Sequence, residues 1–179
     1  MYKVLVEFWF SDEASQYWFN STAEFDQQLL VDYGACWQQA KQGKLESWRE
    51  TAIGSLALVI LLDQIPLNIF RGKPDSFSTE TQAVEVARAA IDIGFDTELT
   101  TKQKGFLYMP FMHSEAIEDQ VSSLQLFDKP GLEDNLRFSK HHHHIVERFG
   151  RFPHRNDILG RISSQAEIEY LNSKQAFKG

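Results

Sequence analysis

The chain is poor in the features that would define it by exclusion. Of its 179 residues only Cys36 is a cysteine, so no internal disulfide and no cysteine-built zinc site can form. Five prolines and ten glycines leave no room for a low-complexity or collagen-like tract. Positive charge is scarce overall, with 18 Lys and Arg against 25 Asp and Glu. That argues against a protein that grips nucleic acid through its phosphates. Long apolar runs are missing as well. The longest, Ala52–Leu62, is broken only by Gly54 and Ser55 and is too short for a bilayer, which takes about 20 residues. The N-terminal MYKVLVEFWF carries Glu7 and no small-residue cleavage site, unlike a signal peptide. The expectation is a cytoplasmic protein without membrane or nucleic-acid partners.

What is present reads as helix. Hydrophobic residues make up 42% and charged residues 24%, an ordinary globular balance for a chain of one-domain length. Leu29, Leu30, Tyr33, Trp37 and Ala40 follow a helical stripe, as do Val84, Ala87, Ile91 and Phe95. Ser21 with Glu24, Ser47 with Glu50, and Ser164 with Glu167 have the spacing of a capping box. Gly43 and Gly94 stand where helices stop. Ala52–Leu62 is apolar almost all round, which marks a central buried helix. The fold class expected is all-α, a single domain over 1–179, built as an array of antiparallel helical hairpins with about eight helices.

Three strings stand out together: LLDQIPLNIFRG at 61–72, GFLYMPFMHSE at 105–115 and RFGRFPHRNDILGR at 148–161. With FWF at 8–10 they resemble the bacterial family known as domain of unknown function 924, along essentially the whole chain. The resemblance implies a helical fold likened to tetratricopeptide repeats, and it implies no particular activity. Two departures are specific to this chain. Leu67 stands where the family usually has Arg, and Met112 where it usually has Glu. An ion pair exchanged for an apolar pair would account for both.

The same strings hold the polar candidates. Charge is uneven: residues 1–100 carry 7 basic and 15 acidic side chains, whereas 137–161 carry six Lys or Arg, two acids and five of the six histidines. Taken as one helix from His113 to Phe127, the sequence puts His113 and Gln120 on the apolar face, where each needs a partner. His113 there is either a general acid–base or a core histidine bonded to the backbone. In Arg151-Phe152-Pro153-His154-Arg155-Asn156, Pro153 suits the first position of a new turn after Gly150 breaks the preceding helix. The new turn's free N–H groups beside Arg151, His154 and Arg155 would cradle a carboxylate or phosphate. The competing reading is a tertiary lock, with these arginines clamping Asp63 or Glu115 and capping helix carbonyls. Asp63-Gln64 close the buried helix and call for a cation, with Arg71, Arg151 and Arg155 in view. Of His141–His144, four consecutive helical residues cannot converge on one ion, and His142 is the one that fits the family pattern.

One functional reading follows. Catalytic candidates are His113, Asp63 and Glu115. Ligand-binding candidates are Arg151, His154, Arg155, Asn156, Arg71, Gln64, Gln120 and His142. Together they would hold a small anionic molecule, with acid–base or hydrolytic chemistry and no organic cofactor or metal. Whether the chain is an enzyme stays open. The alternative is a tetratricopeptide-like module that binds a peptide or protein. Its polar motifs would be structural, and Trp9, Trp18 or Trp48 would serve as contact hot spots. The sequence also leaves a homodimer open.

Overall fold

In the computed structural model, which describes residues 1–178, every regular element is helical and no strand occurs among the described residues. The α-helices are α1 (Tyr2–Trp9), α2 (Asp12–Ser15), α3 (Ala23–Lys41), α4 (Ala52–Ile69), α5 (Glu80–Asp92), α6 (Thr101–His113), α7 (Ile117–Phe127), α8 (Glu133–Phe149) and α9 (Gln165–Leu171). Short 3-10 turns link several of them. The chain clusters into two compact units. Unit 1 comprises residues 1–71 and 75–110, and unit 2 comprises residues 72–74 and the chain from Phe111 onward.

Unit 1 is organised by α4. Leu56, Ala57, Val59, Ile60 and Leu61 are all fully buried, and α1, α3 and α5 pack around them. Burial of such side chains is the main favourable term of folding, about 1.5–3 kcal/mol for each large one. The helix runs on past the end expected from the apolar run and takes in Pro66, a residue that ordinarily stops or kinks a helix. A widened π turn over Ile60–Gln64 accommodates it. Proline has no N–H for the carbonyl four residues earlier, that of Leu62. The Thr79 hydroxyl donates to that carbonyl instead, and Trp37 Nε1 in turn donates to Thr79 Oγ1 over 3.2 Å. By length and composition α4 is also the one helix among the described residues that matches a bilayer, but its apolar surface is spent in this core.

Two of the three expected capping boxes are displaced. Thr22, not Ser21, caps α3 by accepting the Phe25 N–H, while the Ser21 hydroxyl turns to Asp26. Ser47 and Glu50 sit in a 3-10 turn, and Thr51 caps α4 through the Gly54 N–H. Only Ser164–Glu167 forms the reciprocal box, at the start of α9. Where a serine precedes a threonine by one residue, spacing alone does not decide which hydroxyl reaches the free N–H groups.

Unit 2 is smaller and more polar. α7 and α8 approach closely at Ser123 and Ser139, two fully buried serines whose hydroxyls bond to each other. Ile145, Val146, Phe152 and Tyr170 form a compact apolar cluster, with Phe149, Leu171 and Phe177 at its margin. Gly150 ends α8 at φ +69°, a left-handed conformation that costs a glycine least. The chain then turns back through Pro153–Arg155 towards α9.

Candidate functional site

His113 and Gln120 do not share a helix. α6 ends at His113, the chain breaks at Ser114–Ala116, and α7 begins at Ile117. The break matters because the last carbonyls of α6 have no partner within their own helix. Two site candidates supply partners. The amide of Gln120, completely buried, donates to the carbonyls of Met112 and Ser114, each at 2.7 Å. Arg155 Nη2 donates to the carbonyl of His113 at 3.0 Å. A guanidinium at a helix C-terminus also lies favourably in the helix dipole.

Pro153 opens a new turn after Gly150, as expected, but only a three-residue 3-10 one, and the preceding Phe152 N–H is taken by Glu115 Oε1 at 2.7 Å. The expected cradle of free N–H groups is therefore replaced by an ion-pair network. Arg161 grips Glu115 with both terminal nitrogens, at 2.7 and 2.9 Å, and adds a bond to the Phe152 carbonyl. Its Nε donates to Asn156 Oδ1 at 2.9 Å. The Asn156 amide reaches Ser163 and Glu167. Glu167 is gripped in turn by Arg151 through two bonds, at 2.7 and 2.8 Å. Forked pairing of this kind is what the planar guanidinium does best.

The electrostatics follow the geometry. Burial alone would raise the Glu115 carboxyl, but the bonds from Arg161 and the Phe152 N–H and the charges of Arg155 and Arg161 bring it below its usual range. The Arg151 fork is the first cause holding Glu167 down to about 2, with the Ser164 N–H and Asn156 adding to it. Both acids are committed anions at neutral pH. Arg161 and Glu167 are the members that sequence reading did not single out. Arg161 closes the quoted string at 148–161, and Glu167 was visible only as a local cap.

Beside this network lies a histidine cluster. His142 is buried, and its Nδ1 lies 2.8 Å from the Phe138 carbonyl. A carbonyl only accepts, so Nδ1 carries the proton and Nε2 keeps its lone pair. Burial is the main cause that pushes His142 down to about 3, with the charges of His113, His141 and His154 adding to it. Burial likewise takes His154 down to about 4, and Arg155 and Arg161 push the same way against Glu115. His154 stands between the rings of Phe152 and Phe177, with centroids 5.7 and 5.0 Å away. Neither of its nitrogens makes a hydrogen bond to a described residue. His144 is exposed, and its Nδ1 lies 3.9 Å from Glu147. No group of three or more His, Cys, Asp or Glu side chains is arranged to hold a metal ion among the described residues.

The structure thus gathers Glu115, Gln120, His142, Arg151, His154, Arg155, Asn156 and the end of α6 at His113 into unit 2. Asp63, Gln64 and Arg71 belong to unit 1. There Asp63 is buried and accepts from the Gln64 side-chain amide, and the backbone carbonyl of Gln64 accepts from the Asn68 amide at 2.9 Å. Arg71 pairs with Asp26 at 2.9 Å on the surface.

These features define an all-helical protein in which a partly buried network of forked arginines holds the turns beside a histidine cluster. The family described as bacterial protein of unknown function (DUF924) matches residues 5–175, and the chain belongs to it. It is similar over 96% of both chains to the solved structure of a protein of unknown function, ATU0120, from Agrobacterium tumefaciens, at 37% identity and a TM-score of 0.91. No curated protein matches.

Proposed function

We propose that the protein binds a small organic anion at the histidine cluster of unit 2, and that most of the other charged candidates of that unit are framework. The observation that carries this is His154. Arg151, Arg161, Glu115, Asn156 and Glu167 are all spent on one another. His154 is half-buried and makes no hydrogen bond to any described residue, and a withdrawn polar group without a partner is a cost that folds seldom leave standing. Its surroundings favour negative charge, with two guanidinium groups against one carboxylate. The free lone pair of His142 Nε2 offers a ligand hydroxyl or amine an acceptor. Along α8 the cluster adjoins a recess of about 230 Å³ bounded by His141, Ile145, Arg148, Phe149, Tyr170 and Gln175.

Glu115 is a poor candidate for moving a proton, because both its oxygens are held by cationic or N–H donors. Binding, rather than hydrolysis, is the reading that uses the unspent groups. A peptide-binding module on the pattern of tetratricopeptide repeats is less well supported. Trp9 and Trp48, offered as hot spots, are buried, and Trp18 is half-buried and donates to the Trp9 carbonyl at 2.9 Å.

The test is a titration of the histidine ring resonances with sodium acetate at pH 7.5. Saturable shifts at His154 and His142 are expected, and the His142 shift should be lost in His154→Leu. Rings that do not respond to acetate in the wild type would overturn the reading.

A further inference from the structure

The segment after α9 doubles back over the histidine cluster. Residues 172–175 are exposed, and the backbone bonds that hold the segment are few. The Phe177 N–H donates to the Tyr170 hydroxyl at 2.9 Å. The Phe177 ring then stands edge-on to three imidazoles at once, those of His142, His154 and His141, with centroids 4.5, 5.0 and 6.0 Å away. Gln175, two residues earlier, forms one wall of the adjoining recess. One aromatic ring on a lightly tethered strap therefore fills the space bounded by His142, His154 and Phe152.

We infer that Phe177 is a displaceable placeholder, and that the ligand of this site is an anion carrying an aromatic ring that takes the place of the Phe177 ring. This rests on the proposed function and adds the chemical class of the ligand. The three imidazoles set steeply tilted to Phe177, and the apolar cluster with Phe152 behind it, suit a flat ring, since aromatic groups prefer such tilted contacts to face-to-face stacking. A carboxylate on that ring would reach towards the side of His154 that faces Arg155 and Arg161. A ligand without a ring gains nothing when Phe177 leaves. A ligand with one has to compete with it.

Acetate and benzoate share a carboxylate and differ by the ring, so they are the probes. Affinities are read from the His142 and His154 resonances. In the wild type, where Phe177 holds the ring position, the two should bind within a few-fold of each other. In Phe177→Ala, benzoate should bind about tenfold more tightly than acetate, the order expected of one well-placed aromatic contact. Acetate affinity should stay unchanged. Tyr170→Phe removes only the hydroxyl that tethers the strap, and it should raise benzoate affinity by a smaller factor without altering the ring site. Acetate binding with no preference for benzoate in either variant would overturn the aromatic assignment and leave anion binding standing. No response to either probe in any of the three proteins would remove both.

Discussion

The two units are stabilised by different physics. Unit 1 is held by apolar volume: a central helix buried on every side, with aromatic rings such as Trp9, Trp37 and Phe106 packed about the unit's core. Unit 2 is held at its turns by charge and hydrogen bonds, with Glu115, Arg161, Asn156, Glu167 and Arg151 in one connected chain. All six histidines lie in unit 2. Apolar burial is non-directional and insensitive to pH. A paired carboxylate is neither. The contrast teaches that the strings by which the family is recognised divide by role. The string at 61–72 includes the end of a buried helix, whereas those at 105–115 and 148–161 meet in the network.

The contrast is broken most severely by removing the most buried acid of the unit 2 network. Glu167 is 2% exposed and serves Arg151, Asn156 and the Ser164 N–H together. Glu167→Ala is expected to cost about 3–5 kcal/mol, as removal of one partner from a buried pair does. For a chain of this size that lowers the melting midpoint by at least roughly 6 °C. Glu167→Gln keeps the shape and one acceptor and should cost less. Thermal unfolding monitored by circular dichroism measures both, and a midpoint within 2 °C of wild type for Glu167→Ala would deny the network its structural weight.

An effect of comparable or slightly smaller size is expected from a different cause in unit 1. Leu61 is completely buried in α4. Leu61→Ala should cost about 2–5 kcal/mol, the range set by how far a core collapses around a cavity. Its signature separates it from the first variant. The cost should be nearly the same at pH 7.5 and pH 3, whereas the loss caused by Glu167→Ala should shrink as pH falls through the usual carboxylate range towards the depressed value near 2.

Acid sharpens the comparison without any mutation. An ordinary histidine in the unfolded chain takes up a proton near pH 6.5, whereas folded His154 does so only near 4 and folded His142 near 3. Between those values the unfolded chain holds more protons, so stability is complete above about pH 6.5 and falls as pH drops through the window. Glu115 and Glu167 extend the loss further into acid, because their depressed carboxyls favour the fold above the usual carboxylate range and lose that advantage below it. Unit 1 has the opposite sign. Burial raises Tyr33 to about 12 and lifts Cys36, so their contribution is complete at neutral pH and is lost only in alkali. Amide exchange near pH 5 should therefore accelerate in unit 2 before unit 1. His142→Asn, whose amide can still reach the Phe138 carbonyl, should flatten the slope. Uniform acceleration in both units would end the distinction.

How far these features were legible depends on their range in sequence. The all-helical class follows from periodicity and the buried α4 from a run that is apolar almost all round, and both signals are local. So is the Ser164–Glu167 box. The π turn was not legible, because Pro66 reads as a stop unless Thr79, thirteen residues later, is known to satisfy the Leu62 carbonyl. The lock reading of the arginines named the right chemistry and missed partners. Glu115 was foreseen as a clamped acid, but its clamp is Arg161, 46 residues away. Glu167 was seen as a cap and not as the mate of Arg151. Phe177 carried no signal at all, standing among Ser, Lys, Gln and Gly, and only the return of the chain over α8 gives it a place.

The smallest effect tests whether charge as such, or burial of charge, distinguishes the units. Unit 1 has a forked arginine of its own. Arg71 meets Asp26 with Nε and Nη2, at 2.9 and 3.3 Å, much as Arg151 meets Glu167. The geometry is alike, but the Arg71 side chain is 59% exposed, so water screens the pair and competes for both partners. Arg71→Ala is expected to cost no more than about 1 kcal/mol, and less as salt is added. A midpoint shift beyond roughly 4 °C would show that unit 1 also depends on its ion pairs. A shift within about 2 °C, beside the large loss for Glu167→Ala, would place the difference in desolvation: the same fork matters where its partner carboxylate is withdrawn from water and barely registers where it is not.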